Sequence, residues 1–219
     1  MSDFNLMDRM RPKRFADVVG QDAALAAIQS RVKANEGRYI GVNYFLSGPS
    51  GVGKTSIAKL IANECAQGWA TMEVHASKVN KDWLDHAEDE MRHPPWSWDG
   101  HHGYAWIINE VHYLDGRSEG RLLDLMEYRP WVTWIFTTTT AGQAKLFDGD
   151  IEESPFMSRC LEVRLSGTGA TQTAFAERAR AIATELGMNG KPIGSYLILA
   201  ARCKCNFRMM IQEIAAGRV

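Results

Sequence analysis

The amino-acid sequence predicts an α/β protein: a mostly parallel sheet of five strands covered by helices on both faces, followed by a small all-helical unit. Three observations carry this expectation. Short apolar runs alternate with stretches of helical period from Tyr44 to Leu165. One of those runs enters a glycine-rich loop that opens straight into a helical pattern. From Gln172 onward, helical patterns follow one another with no strand between them.

Tyr44–Leu46 is a short apolar run that ends in the glycine-rich loop, and Ile57, Leu60, Ile61 and Cys65 then recur at helical spacing. Thr71–Val74 reads as a strand, and Trp83–Met91 as an acidic amphipathic helix. Ala105–Ile108 is a buried strand, followed by a helix around Leu122–Met126. Val132–Thr138 is rich in β-branched and aromatic residues and forms a further strand, with Leu161–Leu165 as the fifth. Ser166-Gly-Thr-Gly-Ala-Thr171 is turn-rich and marks a linker, so the chain is expected to divide into residues 1–166 and 171–219. The second unit holds helices over Gln172–Leu186, Ile193–Cys203 and Phe207–Ala216.

Composition excludes several classes. With 219 residues, 45% of them hydrophobic, the chain buries a sizeable core and is no disordered tail. Its 25 basic and 26 acidic side chains give a net charge of -1, which excludes a surface coated in basic charge. The charge is uneven: residues 156–219 carry +5 and the first 155 carry -6. A solvated basic face and a nucleic-acid surface both fit that surplus. Four cysteines, Cys65, Cys160, Cys203 and Cys205, argue for a reducing compartment. No apolar run approaches the ~18 residues of a membrane span. The first residues lack the apolar core of a secretory signal, so a soluble cytoplasmic protein with no membrane partner is expected.

Gly48-Pro-Ser-Gly-Val-Gly-Lys-Thr55 fits the pattern G-x-x-x-x-G-K-[ST] in full, between a strand and a helix. Glycines let backbone N–H groups turn onto phosphate oxygens, and the helix N-terminus adds its positive dipole end. Gly51, Val52, Gly53, Lys54, Thr55 and Ser56 are therefore candidate nucleotide contacts. Lys54 can reach the β- and γ-phosphates, and the Thr55 hydroxyl is a candidate magnesium ligand.

Trp106-Ile-Ile-Asn-Glu-Val-His112 supplies the acidic strand end that such a site needs, with one departure. The usual ending is Asp-Glu, in which the Asp orders the magnesium shell and the Glu polarises the attacking water. Here Asn109 stands at the Asp position and Glu110 remains. Asn keeps an oxygen of similar reach but lacks the charge that holds a hard cation. Glu110 is a candidate catalytic residue or a cap for the next helix.

These residues resemble the clamp-loader branch of the AAA+ ATPases over nearly the whole chain. Arg11-Pro-Lys-Arg-Phe-Ala-Asp-Val-Val-Gly-Gln21 is similar to the segment that packs round the adenine, which implies contacts from Arg11, Pro12, Val18 and Val19. Gly51-Val-Gly-Lys-Thr-Ser-Ile-Ala58 resembles the phosphate-loop helix of the bacterial gamma/tau subunits, and Asn109-Glu-Val-His112 their D-E-x-H box apart from its first residue. Thr137–Thr140 ends a strand where the group keeps its sensor 1, a role that falls on Thr139. Ser158-Arg159-Cys160 resembles the S-R-C motif, whose arginine reaches a neighbouring subunit's ATP. Asn206-Phe-Arg208 resembles the sensor 2 motif, which assigns Arg208 to nucleotide contact. Taken singly, Thr139 also fits plain β-propensity, Arg159 a surface arginine, and Arg208 a helix cap.

The resemblance implies ATP and Mg²⁺ as cofactors, and other AAA+ subunits in a homo- or hetero-oligomer as partners. It further implies a sliding clamp and primer–template DNA, with ATP binding driving assembly and hydrolysis releasing both. Two other readings fit: a non-hydrolysing ATP-binding structural subunit, which Asn109 favours, and another AAA+ motor of DNA repair or recombination. Only Cys65 lies where gamma/tau subunits carry a four-cysteine zinc module, so that module is not expected. The sequence ends at Val219 before a helical collar, as expected either for a fragment or for a minimal protein with a separate partner.

The remaining features carry less. All six histidines fall between His75 and His112 in spacings that match no metal motif, so an exposed loop is expected over His93–Gly103. Cys203 and Cys205 are expected as free thiols packed among the helices. Trp96 and Trp98 suit base stacking, a partner surface or core filling. Asp82, Asp85, Glu88, Asp89 and Glu90 form a solvated helix face.

Overall fold

The structure, a computed structural model, describes residues 3–96, 103–127, 129–139, 155–188 and 191–219. Helix α1 (Asp3–Arg9) and α2 (Asp22–Ala34) precede the first strand, β1 (Tyr44–Gly48). Then come α3 (Lys54–Cys65), β2 (Thr71–His75), α4 (Lys81–Glu90), β3 (Tyr104–Asn109), α5 (Gly116–Glu127) and β4 (Val132–Thr139). A short helix α6 (Pro155–Arg159) leads into β5 (Leu161–Arg164). Helices α7 (Ala170–Glu185), α8 (Ile193–Arg202) and α9 (Phe207–Ala215) complete the described chain.

All five strands run parallel in the order β2-β3-β4-β1-β5. The chain leaves the sheet at β1, beside the β5 edge, crosses through α3 to the far edge at β2, and returns through β3 and β4. Parallel neighbours need such crossovers, and their helices cover the sheet. Burial follows from this. Strand β1 is buried along its whole length, and β3 and β4 are buried except at their last residues. The edge strands β2 and β5 are only partly buried. Continuous apolar runs are what a strand covered on both faces requires.

The strands extend past their apolar signal. Strand β1 continues to Gly48, β3 to Asn109 and β4 to Thr139, because backbone pairing persists after the side chains turn polar. Those polar ends carry the site described below. The linker is shorter than expected: α7 begins at Ala170, inside the turn-rich stretch, and Thr171 is buried with its hydroxyl donating to Gly20 O at 2.7 Å. Helix α2 leaves little trace in the sequence pattern. Its buried residues Ala24, Ile28 and Val32 recur every four positions, but alanines on its other faces blur the contrast.

Among the described residues two tryptophans lie in the core, Trp83 and Trp131 pack against it, and Trp69 is exposed. Trp106 and Trp134 are paired across β3 and β4 with ring centroids 5.7 Å apart, and Trp83 meets Trp106 edge-on at 5.4 Å. Trp96 is exposed, whereas Trp98, His101 and His102 lie outside the described residues. Cys203 and Cys205 are free and buried, and burial raises both thiols above their ordinary range. The basic surplus of the last segment is partly internal: Arg164 pairs with Glu162, Arg178 with Glu185, and Arg202 and Arg218 with Glu213. Among the described residues no helix is long and apolar enough to cross a membrane, and no cluster of three or more His, Cys, Asp or Glu is placed to hold a metal ion.

Candidate nucleotide site

The loop between β1 and α3 turns on glycine. Gly51 (φ 76°) and Gly53 (φ 109°) occupy the left-handed region, where a side chain is strained. Gly51 also has no room for one: an added Cβ would lie 1.9 Å from Asn206 Oδ1. Asn206 starts α9, accepting from the Met209 N–H at 3.2 Å, and the Phe207 N–H donates to Gly51 O at 3.1 Å. The last helix is therefore docked by its N-terminus onto the loop.

This contact makes a first prediction. Replacing Gly51 by Ala is expected to lower thermal stability by about 1–3 kcal/mol, since it combines left-handed strain with a clash against the last helix. It is also expected to weaken ATP binding in a fluorescence titration. Unchanged stability and affinity would show that the close approach carries no energy.

Lys54 opens α3 and is buried, its ammonium donating to Gly48 O at 2.9 Å and Pro49 O at 2.8 Å. Burial holds the lysine below its ordinary pKa, with Glu110 pulling it back up and Arg208 pushing it further down. Lys54, Arg208 and a helix N-terminus thus face one opening, where an anion of high charge would be stabilised.

The opening is a cleft of about 530 Å³. Arg11, Pro12, Val18 and Val19 line it from the N-terminal segment, and Gly51, Val52, Gly53, Lys54, Thr55 and Ser56 from the loop and α3. Glu110 lines it from the end of β3, and Phe175, Arg178, Phe207 and Arg208 from the last helices. The two walls are tied by Gln21, which is buried. Its amide N–H₂ donates to Ser166 O at 2.8 Å and Val52 O at 3.4 Å, and its oxygen accepts from the Ser166 N–H at 2.9 Å.

Glu110 adopts a left-handed conformation (φ 56°), rare for a residue with a side chain. Its N–H faces Thr137 Oγ1 at 3.4 Å, its carboxylate lies 3.5 Å from His112 Nδ1, and it makes no side-chain cap to the turn that follows. Asn109 sits behind the loop. Its Oδ1 accepts from Thr137 Oγ1 at 2.9 Å and lies 3.5 Å from Thr55 Oγ1, while its Nδ2 donates to Glu73 Oε1 at 2.8 Å.

Two expected residues stand apart from the cleft. Thr139 ends β4 in register with Gly48, and Thr137, two residues earlier, makes the contact to Asn109. Arg159 ends α6, its Nε donating to Glu127 Oε1 at 2.9 Å and its Nη1 to Pro155 O at 3.0 Å. Glu73, Thr137, Gln21, Phe175 and Arg178 join the site without a local signal in the sequence. Strand register and the docking of distant segments bring them there.

Sheet order, loop and buried lysine define the class as the P-loop NTPase fold. Residues 44–145 match the family described as ATPase family associated with various cellular activities (AAA). The chain is 29% identical over 193 residues to DNA polymerase III subunit tau/gamma of Haemophilus influenzae, covering 76% of this chain and 26% of that one. It is 29% identical over 136 residues to replication factor C large subunit of Nanoarchaeum equitans, covering 59% and 30%. The Thermotoga maritima RuvB Holliday junction branch migration motor shares the fold at a TM-score of 0.69 and 21% identity, with 95% of this chain and 65% of that chain covered. The chain spans about a quarter of the length of the tau and gamma/tau relatives it matches first. The chain has the P-loop NTPase fold, and its sequence is similar to the AAA family over residues 44–145 and to subunits of DNA polymerase III and replication factor C.

Proposed function

We propose that the chain binds ATP in this cleft and hydrolyses it as a clamp-loader-like subunit of a larger assembly, with residues 1–166 as the nucleotide-binding core and 171–219 as a helical lid. The observation that carries the reading is the convergence of the N-terminal segment, loop, Glu110 and Arg208 on one opening. Val18, Val19 and Pro12 offer an apolar wall for the base. The loop N–H groups and Lys54 hold the phosphates, and Arg208 links nucleotide state to lid position. Glu110 orients and polarises a water for attack. Arg159, outside its own cleft and on a half-exposed helix end, serves the site of a neighbour.

The donor set fits magnesium: Thr55 Oγ1 and Asn109 Oδ1 are hard oxygen ligands facing each other, directly or through water. When bound, the ion neutralises charge on the phosphate oxygens. An amide at 109 gives it one negative charge fewer than a carboxylate, which favours, as a second reading, a subunit that binds ATP without turning it over.

Binding of a fluorescent ATP analogue, followed by steady-state turnover per chain over a wide concentration range, tests the proposal. Saturable binding and turnover that rises with concentration are expected, with further stimulation by a sliding clamp and primer–template DNA together. No saturable binding would overturn the nucleotide reading. Stimulation by a four-way junction but not by the clamp would select a branch-migration motor instead. Binding without turnover in every mixture would select the structural subunit.

A further inference from the structure

Glu73 lies on the edge strand β2, and both of its carboxylate oxygens are engaged. Oε1 accepts from Asn109 Nδ2 at 2.8 Å, and Oε2 faces Lys59 Nζ at 2.9 Å. At the other end of the amide, Asn109 Oδ1 accepts from Thr137 Oγ1 at 2.9 Å and lies 3.5 Å from Thr55 Oγ1. Thr55 and Lys59 are four residues apart on α3 and share a helix face. Side chains from three adjacent strands and one helix thus close a ring around residue 109.

The chemistry of the ring fixes the amide. An ionised carboxylate only accepts hydrogen bonds, whereas an amide has one donating end and one accepting end. Turned over, Asn109 would set its oxygen against the Glu73 carboxylate with no proton between them. Its nitrogen would then face Thr55. The observed orientation aims the oxygen at Thr55. A carboxylate at 109 would present an oxygen on either side, one toward Thr55 and one against Glu73, and would need no partner to orient it.

We propose that Glu73 is a positioning residue for the magnesium site: by accepting from Nδ2 it holds the single oxygen of Asn109 toward Thr55, and so offsets the missing carboxylate at that position. Lys59 holds the Glu73 carboxylate in place. The proposal rests on the nucleotide reading above, and its test separates the two.

Magnesium is titrated into the full chain saturated with a fluorescent ATP analogue, for the native protein, Glu73→Gln, Asn109→Asp and the double variant. Affinity for the analogue is first measured in EDTA. The glutamine introduced by Glu73→Gln can offer Asn109 either an oxygen or an N–H₂, so it no longer selects one orientation. Beside the native Asn109, Glu73→Gln is expected to raise the half-saturating magnesium concentration about ten-fold, the lower end of what losing an outer partner of a metal ligand costs. In the Asn109→Asp background the same change replaces a carboxylate–carboxylate contact by one that has a donor, so no such rise is expected, and beside the native Asn109 the affinity in EDTA should be the same with and without Glu73→Gln. An equal shift in both backgrounds would mean that Glu73 acts by charge or by fold, and would overturn the proposal. No shift beside the native Asn109 would overturn it as well. Loss of analogue binding by the native chain would overturn the nucleotide reading and the proposal together.

Discussion

Replacing Arg159 by Ala is expected to cut ATP turnover by about 10³-fold at concentrations where chains assemble, and to leave ATP binding by the isolated chain unchanged. An arginine supplied to a neighbour's phosphoryl group contributes on the order of 10³–10⁵ in rate. Arg159 does not line its own cleft and is ion-paired with Glu127 on α5, so its removal takes nothing from the local binding surface. A mixing experiment checks the direction of action. Chains carrying Arg159→Ala retain a working loop, and chains carrying Lys54→Ala retain the arginine. Mixed, they should recover part of the activity that neither has alone. A loss that is the same at every concentration and does not recover on mixing would place Arg159 outside the reaction.

The second large effect belongs to Glu110. Glu110→Gln is expected to lower turnover by about 10²–10⁴-fold with ATP affinity retained, as for loss of a positioned base. Glu110→Gly is expected to be as inactive yet more stable, by about 1 kcal/mol or more, because glycine occupies a φ of 56° without the strain that Glu bears. The gain is read as a higher urea midpoint at unchanged slope. Stability rising as activity falls would identify the left-handed turn as a conformation kept for chemistry. A glycine variant less stable than the native protein would show that the Glu110 side chain supports the fold instead.

Much of this is open to reading in the sequence, for a physical reason. The phosphate loop is contiguous and its demands fall on the backbone, so glycines at fixed spacing announce it. Buried parallel strands announce themselves by unbroken apolar runs such as Ala105–Ile108. What stays hidden depends on register or docking. Glu73 gives no hint of a role until β2 pairs with β3 and sets its carboxylate beside Asn109. Gln21 is one polar residue among many until Ser166, 145 positions away, closes on it. Lys204 and Cys205 both take positive φ in the turn before α9, where a glycine would have signalled the bend. Helix α2 is masked by its alanines. The assignment of Thr139 rests on resemblance to the family, and the contact to Asn109 comes from Thr137.

The Gln21 amide has a consequence for the order in which the molecule is made. Its partners Val52 and Ser166 lie 31 and 145 residues downstream, and Gly20 is bonded by Thr171, 151 residues downstream. At about 5–20 residues per second, roughly 7–30 s pass on the ribosome between the appearance of Gln21 and that of Ser166. The N-terminal wall of the cleft has no complete seat during that time, whatever the sheet has already formed. The loop precedes its enclosure, so the nascent chain has a phosphate cradle before it has a pocket. Closing the pocket therefore follows the synthesis of Ser166 and Thr171, and a ligand that bridges the two walls would favour chains long enough to carry both.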